Sequence, residues 1–188
     1  MNNQSAPDLR IGDVVFIRLP VLLFRKVANA TASWTNHVGI VIGQENGEWM
    51  VAESCVPFAR KRRFRDFVAR SEHQHYVVRR LHTPLSPPQG LRLQAAVSAR
   101  LGTLYHTGFA LHSRRQFCSK FVFEVLREAC GQQIGEIETF ATLLGRNPQT
   151  SLAFWRLWFF GRIPWLRETI TPGSQLACPR LQTVFERN

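Results

Sequence analysis

The residue best placed to do chemistry is Cys118. It sits near the start of a segment, 114–126, whose apolar positions recur at helical spacing. Val122, Val125, Leu126 and Ala129 form one face. Lys120, Glu124, Arg127 and Glu128 form the expected wet stripe, and Gly131 supplies a stop. A thiol at a helix start feels the positive end of the helix dipole. With arginines beside it, the thiolate, which is the reactive form, is favoured. A capping-box pattern over 113–116 competes with this reading. It would start the helix earlier and move Cys118 beyond the reach of the dipole. A buried packing cysteine is then the plainer alternative.

A second group lies upstream. Residues 36–43 read as a strand with His37 at its start, 45–48 as a hairpin turn carrying Asn46-Gly47, and 49–54 as the returning strand. That hairpin brings Glu53 back toward His37. A carboxylate beside an imidazole fixes its tautomer and stabilises the imidazolium. Taken singly, His37 also suits a strand end bonded to backbone, and Glu53 a solvated surface. Gly39 is expected to admit close approach of another backbone. Cys55 shares the Glu53 face if the strand is regular, and packing is its expected role.

These groups need a scaffold. Residues 11–17 read as a strand buried on both faces, 75–81 as a further strand, and 89–101 as an amphipathic helix. Residues 19–35 are mixed, with a polar loop over 29–35. The basic run 60–65 leads into a short helix through Phe67 and Val68, and reads as a solvated face more readily than a phosphate-binding patch. His73 and His75 share a face but lack a third ligand, so no metal is assigned. Residues 136–144 read as one helix stopped by Gly145 and Pro148. The aromatic stretch 151–161 is either a helix packed on the domain or an interfacial membrane contact flanked by arginines.

The 188 residues, 45% hydrophobic and 20% charged, suffice for one globular domain with a real core. We expect a core over about 10–146 and an aromatic helical extension over about 147–188. A net charge of +11 favours acidic partners without choosing among them. Four cysteines without CxxC or zinc-type spacing suggest reduced thiols in a reducing compartment. The N-terminus is polar without a signal-peptide pattern, and no apolar run is long enough to span a bilayer. The expected location is therefore cytoplasmic, with signal-independent export left open.

The ordered set Gly12-Asp13-Val14-Val15-Phe16, Asn36-His37-Val38-Gly39-Ile40-Val41, Val51-Ala52-Glu53-Ser54 and Phe117-Cys118-Ser119-Lys120-Phe121-Val122 resembles the YiiX/YebB-like family. This family belongs to the circularly permuted branch of the NlpC-type papain-like superfamily. The resemblance spans most of the chain and rests on the order of the segments, with histidine before cysteine. It implies an α+β, permuted papain-like fold: a small, mostly antiparallel sheet packed against helices that include the cysteine helix. It also implies a Cys118–His37–Glu53 triad working without cofactor, with Tyr105, of a Gly-x-x-Tyr pattern begun by Gly102, as a substrate or oxyanion contact. His106 stands where relatives often carry Asp, so no role is borrowed there. The implied activity is a cysteine hydrolase, peptidase- or amidase-like, acting on a peptide or other amide through an acyl-enzyme. Two alternatives remain. One is a thiol acyltransferase or phospholipase at an anionic membrane surface. The other is a non-enzymatic basic binding module, with nucleic acid the less favoured partner. Substrate and oligomeric state stay open.

Overall fold

A computed structural model describes residues 7–147 and 150–187. The polar N-terminal stretch through residue 6, and the Pro148 stop expected after Gly145, lie outside the described residues.

A six-stranded antiparallel sheet runs in the order Ala59–Arg63 (β4), Glu48–Ser54 (β3), His37–Glu45 (β2), Val14–Ile17 (β1), Tyr76–Leu81 (β5) and Leu181–Arg187 (β8). Its centre is β1 (Val14–Ile17), paired on one side with β2 (His37–Glu45) and on the other with β5 (Tyr76–Leu81). Strand β3 (Glu48–Ser54) returns from β2 through the expected Asn46-Gly47 turn, where both residues have positive φ. Residues of β1 alternate between two cores, which is why the strand lacks a polar face. Val14 and Phe16 join one core with Leu93, Phe121, Val122, Val125 and Leu126. Val15 and Ile17 join another with Phe24, Phe67, Phe109 and Trp155. The first core is closed by α3 (Pro87–Ser98) and α4 (Cys118–Cys130). Each large side chain buried there contributes about 1.5–3 kcal/mol of transfer free energy.

Several elements differ from the sequence-based expectations. Residues 22–30, within the stretch read as mixed, form α1 (Leu22–Ala30). The basic run forms an edge strand, β4 (Ala59–Arg63), followed by α2 (Phe64–Val68). One side of it, with Lys61, Arg63 and Arg65, is the expected solvated face, and the other is not. Lys61 reaches Glu45 at 2.7 Å and Arg65 reaches Glu48 at 3.3 Å, while Arg60 and Arg62 turn to the opposite side. The expected helix over 136–144 is a short strand, β6 (Ile137–Thr139), followed by α5 (Phe140–Arg146). Thr139 caps α5 by accepting from the Thr142 N–H.

The segment beyond 147 is only partly helical. It contains α6 (Leu152–Trp158), β7 (Glu168–Ile170), α7 (Pro172–Leu176) and β8 (Leu181–Arg187). Strand β7 pairs with β6, and β8 extends the main sheet along β5. The tail is therefore woven into the sheet system through pairings that no local pattern reveals. His75, one of the two weighed as metal ligands, instead stacks on Trp34 with ring centroids 4.0 Å apart.

Candidate active site

Cys118 is the first residue of α4, with Phe117 as an extended N-cap. The competing capping box does not form. Gln116 donates its N–H to the Leu104 carbonyl and accepts from the His106 N–H at 2.6 Å, so its backbone is extended when the helix begins. Cys118 thus sits in the first turn, where main-chain N–H groups lack intrahelical partners. The far end closes as expected: Gly131 takes a left-handed conformation with φ 71° and donates to the Arg127 carbonyl. Lys120 departs from the expected wet stripe. Its side chain is buried, and its ammonium donates to the carbonyls of Ser113 and Arg115, anchoring the loop before the cysteine. Ser119 donates to the Ile170 carbonyl at 2.8 Å, and Gln175 donates to the Ser119 carbonyl at 2.9 Å, fixing the first turn from the C-terminal segment.

His37 opens β2 opposite Ile17 and is fully buried. Its strand start is held by Asn36, whose amide bonds both main-chain groups of Leu19. The imidazole packs between Phe24 and Phe67, with centroids 6.2 and 5.7 Å away. Gly39 makes room for Phe67: a Cβ at 39 would meet Val51 Cγ1 at 2.5 Å and Phe67 Cε2 at 2.9 Å. The close approach at Gly39 is thus by a side chain, where the sequence suggested a backbone. Nε2 of His37 lies 2.6 Å from Glu53 Oε2. Nδ1 is buried without a well-formed hydrogen bond and is the nitrogen left for Cys118. Burial alone would lower the imidazole pKa. The thiol of Cys118 and the carboxylate of Glu53 overcome it and raise the value to about 9.

Glu53 is also fully buried, and it carries more than His37. Arg70 donates to the same Oε2 at 2.6 Å. Arg62 donates to Oε1 at 3.1 Å, and Arg60 stands 3.8 Å away. Burial pushes the carboxyl upward, but His37 and then Arg70 hold it well below the usual carboxylate range. The arginines went unassigned in the sequence. Strand β4 runs antiparallel to β3 with Arg60 opposite Glu53, so Arg60 and Arg62 share its face. Every neighbour in the run is also a cation, so their period-two spacing has no contrast in the sequence.

Tyr105 is buried, with its ring edge-on to Phe24 and Phe109. Its hydroxyl lacks a well-formed partner and lies against the thiol and main-chain N–H of Cys118. Burial and the neighbouring thiol push its pKa well up, so the hydroxyl stays a donor. The structure therefore brings together all four residues singled out in the sequence. Cys55 is buried nearby, donates weakly to the Phe58 carbonyl, and is pushed up to about 11 by burial and Glu53, in keeping with packing.

Cys118 is 3% exposed and opens on a narrow apolar slot bordered by Phe24, Tyr105, Phe109, Phe140 and Trp155. About 20 Å³ of it admits a water-sized sphere, room for roughly one water. Substrate entry therefore requires side chains to move.

Residues 8–185 match the profile of a family described as permuted papain-like amidase enzymes, YaeF/YiiX, C92 family. The chain is 27% identical over 173 residues to Escherichia coli K12 YiiX, described as uncharacterized, covering 92% of this chain and 84% of that protein. A crystal structure described as that of the metalloprotein YiiX from Escherichia coli O157:H7 superposes with a TM-score of 0.87 at 26% identity, covering 95% of this chain and 97% of that one. Among the described residues here, no three His, Cys, Asp or Glu side chains converge as a metal site would require. Around Cys118 the uncommitted donors are the thiol and His37 Nδ1, since Nε2 and both Glu53 oxygens are taken. That donor set does not fit a resident metal. No helix among the described residues is long and apolar enough to cross a membrane.

Proposed function

The chain belongs to the permuted papain-like amidases of the YaeF/YiiX family, enzymes of the cysteine peptidase and amidase type, and on that premise we propose that Cys118, His37 and Glu53 act as its catalytic triad. The observation that carries this reading is the buried imidazole, held at Nε2 by Glu53 with Nδ1 unspent beside Cys118.

Sulfur of Cys118 attacks the substrate carbonyl carbon, and the C=O electron pair moves onto oxygen. The main-chain N–H of Cys118 and the Tyr105 hydroxyl donate to that oxyanion. The oxyanion collapses, the bond from carbon to the leaving group breaks, and the proton on His37 Nδ1 passes to the leaving amine or alcohol. Cys118 is left as a thioester. His37 then takes a proton from water, whose hydroxide attacks the thioester and releases the acid. The sulfur leaves as thiolate, and the proton remains on His37. Glu53 orients the ring through Nε2 and stabilises its charge.

The apolar slot favours a second reading of the acyl group, as a fatty acyl chain carried by an ester or thioester, with transfer or lipolysis as the outcome.

Iodoacetamide alkylation of Cys118 against pH, followed by peptide mass spectrometry, tests the triad, with Cys55, Cys130 and Cys178 as internal references. Alkylation fast below neutral pH, and slowed in His37→Ala and Glu53→Gln, is expected. Behaviour like an ordinary thiol, indifferent to both substitutions, removes the triad reading. Trapping an acyl adduct on Cys118 from a peptide amide or from an acyl ester then separates the two substrate classes.

A further inference from the structure

Helix α6 and the segment after it bury some large apolar side chains and leave others in solvent. Inward, Trp155 is fully buried, packs on Phe140 and borders the slot beside Cys118. Outward, Leu157 is 80% exposed. Phe160, in the turn that follows, is 97% exposed, and Leu166 is 87% exposed. Single exposed apolar residues are ordinary, but this concentration within ten residues is not. Phe160 also sits at φ +51°, in the left-handed region that a bulky side chain avoids. Neither packing nor backbone conformation within this chain rewards a phenyl group there.

The charge of this stretch is mostly positive, and the carboxylate that follows it, Glu168, pairs with His112 at 2.7 Å. Residues 147–167 include Arg156, Arg162 and Arg167 and contain no Asp or Glu. Arg156 and Arg162 are exposed and make no ion pair among the described residues, and Lys26 of α1 stands over the Phe154 ring at 5.6 Å. Aliphatic and aromatic tips rimmed by arginines suit the headgroup layer of an anionic bilayer. There the apolar tips enter the acyl boundary and the guanidiniums meet phosphates. Leu157 and Leu166 offer nothing to stack on nucleic-acid bases.

We propose that the outer face of α6, with Phe160 and Leu166, docks this protein on an anionic membrane surface. Docking would set the wall of the Cys118 slot against the bilayer. The proposal is independent of whether Cys118 is catalytic, and its test uses no substrate.

Co-sedimentation with vesicles of phosphatidylcholine alone, and with phosphatidylglycerol added, reads the binding. We expect clear binding to the mixed vesicles, weak binding to the neutral ones, and a fall with added salt. Leu157→Ser with Phe160→Asn should cut binding at least about tenfold, the size expected for losing two inserted apolar side chains. Asn tolerates the left-handed backbone, so this variant keeps its fold, checked by its melting temperature. Arg156→Gln with Arg162→Gln should lower binding to the mixed vesicles by about tenfold and leave the neutral ones unchanged. Absence of binding to mixed vesicles overturns the proposal. So does binding that survives loss of the apolar pair, which would be generic attraction of a basic protein. Concentration-dependent self-association, abolished by Leu157→Ser with Phe160→Asn, would assign the face to a second copy and likewise overturn it.

Discussion

Arg70→Gln tests whether the charge around Glu53 tunes the histidine or merely holds it. Arg70 Nη2 and His37 Nε2 are each 2.6 Å from one oxygen, Glu53 Oε2, so the two nitrogens are at most about 5 Å apart. At an effective dielectric near 20, two positive charges at that distance repel by about 3 kcal/mol. The Arg70 side chain is 25% exposed, and solvent screening reduces this to about 1–2 kcal/mol, or roughly one pKa unit. Removing the guanidinium should therefore raise the His37 pKa from about 9 by roughly one unit. Glu53 stays ionised, because Arg62 still donates to it and the imidazolium still faces it. The folded pKa of His37 lies above the ordinary imidazole value of 6.5. Stability from its imidazolium is thus fully present below that value and lost as pH rises through the folded pKa. Arg70→Gln extends that window upward. At neutral pH it should still cost about 1–2 kcal/mol, from a charge-assisted hydrogen bond partly replaced by the remaining arginines. NMR titration of the histidine ring protons, with His37 assigned from His37→Gln, reads the shift directly, and Arg70→Lys should stay near wild type. An unchanged or lowered His37 pKa in a folded Arg70→Gln protein would refute the electrostatic reasoning. An equal shift in Arg70→Lys would do the same, because charge could not then be the cause.

Two further substitutions probe the surrounding walls. Tyr105→Phe removes a buried hydroxyl with no well-formed partner, so the melting temperature should hold or rise. Loss of an oxyanion donor should lower kcat by about 10²-fold with little change in KM, and a KM effect alone would return Tyr105 to a packing role. Gly39→Ala drives a Cβ into Val51 and Phe67 and should cost about 1–3 kcal/mol in chemical denaturation. Because Phe67 packs against the His37 ring, the same variant should slow Cys118 alkylation, and a stability loss with unchanged alkylation would uncouple the two.

The residues legible in the sequence were those whose neighbours in space are also near in sequence. The Asn46-Gly47 turn returns β3 along β2 and the Gly131 stop frames the cysteine helix, but a bulge between Val41 and Gly43, which the sequence does not announce, shifts the register and puts Glu53 on the His37 face of the pair. The start of that helix was harder, because Gln116 is kept extended by Leu104 and His106, a tertiary bond that overrides a sound capping pattern. Helix α1 was missed for a related reason. Its N-cap is Val21, which offers no side-chain bond, and its buried face is defined only by what packs there, Phe24 against His37 and Tyr105. The basic strand β4 shows the limit most plainly. Period-two alternation announces a strand when apolar and polar residues alternate, but Arg60-Lys61-Arg62 alternates between two sets of cations and leaves no contrast to read. Only pairing with β3 distinguishes Lys61, which meets Glu45 at the surface, from Arg60 and Arg62, which close over Glu53. A buried carboxylate facing an imidazole needs compensation beyond that ring, because an isolated buried charge is too costly to keep ionised. Once Glu53 is assigned to the interior, a cationic strand across the ladder from it is therefore the natural place to look for its partners.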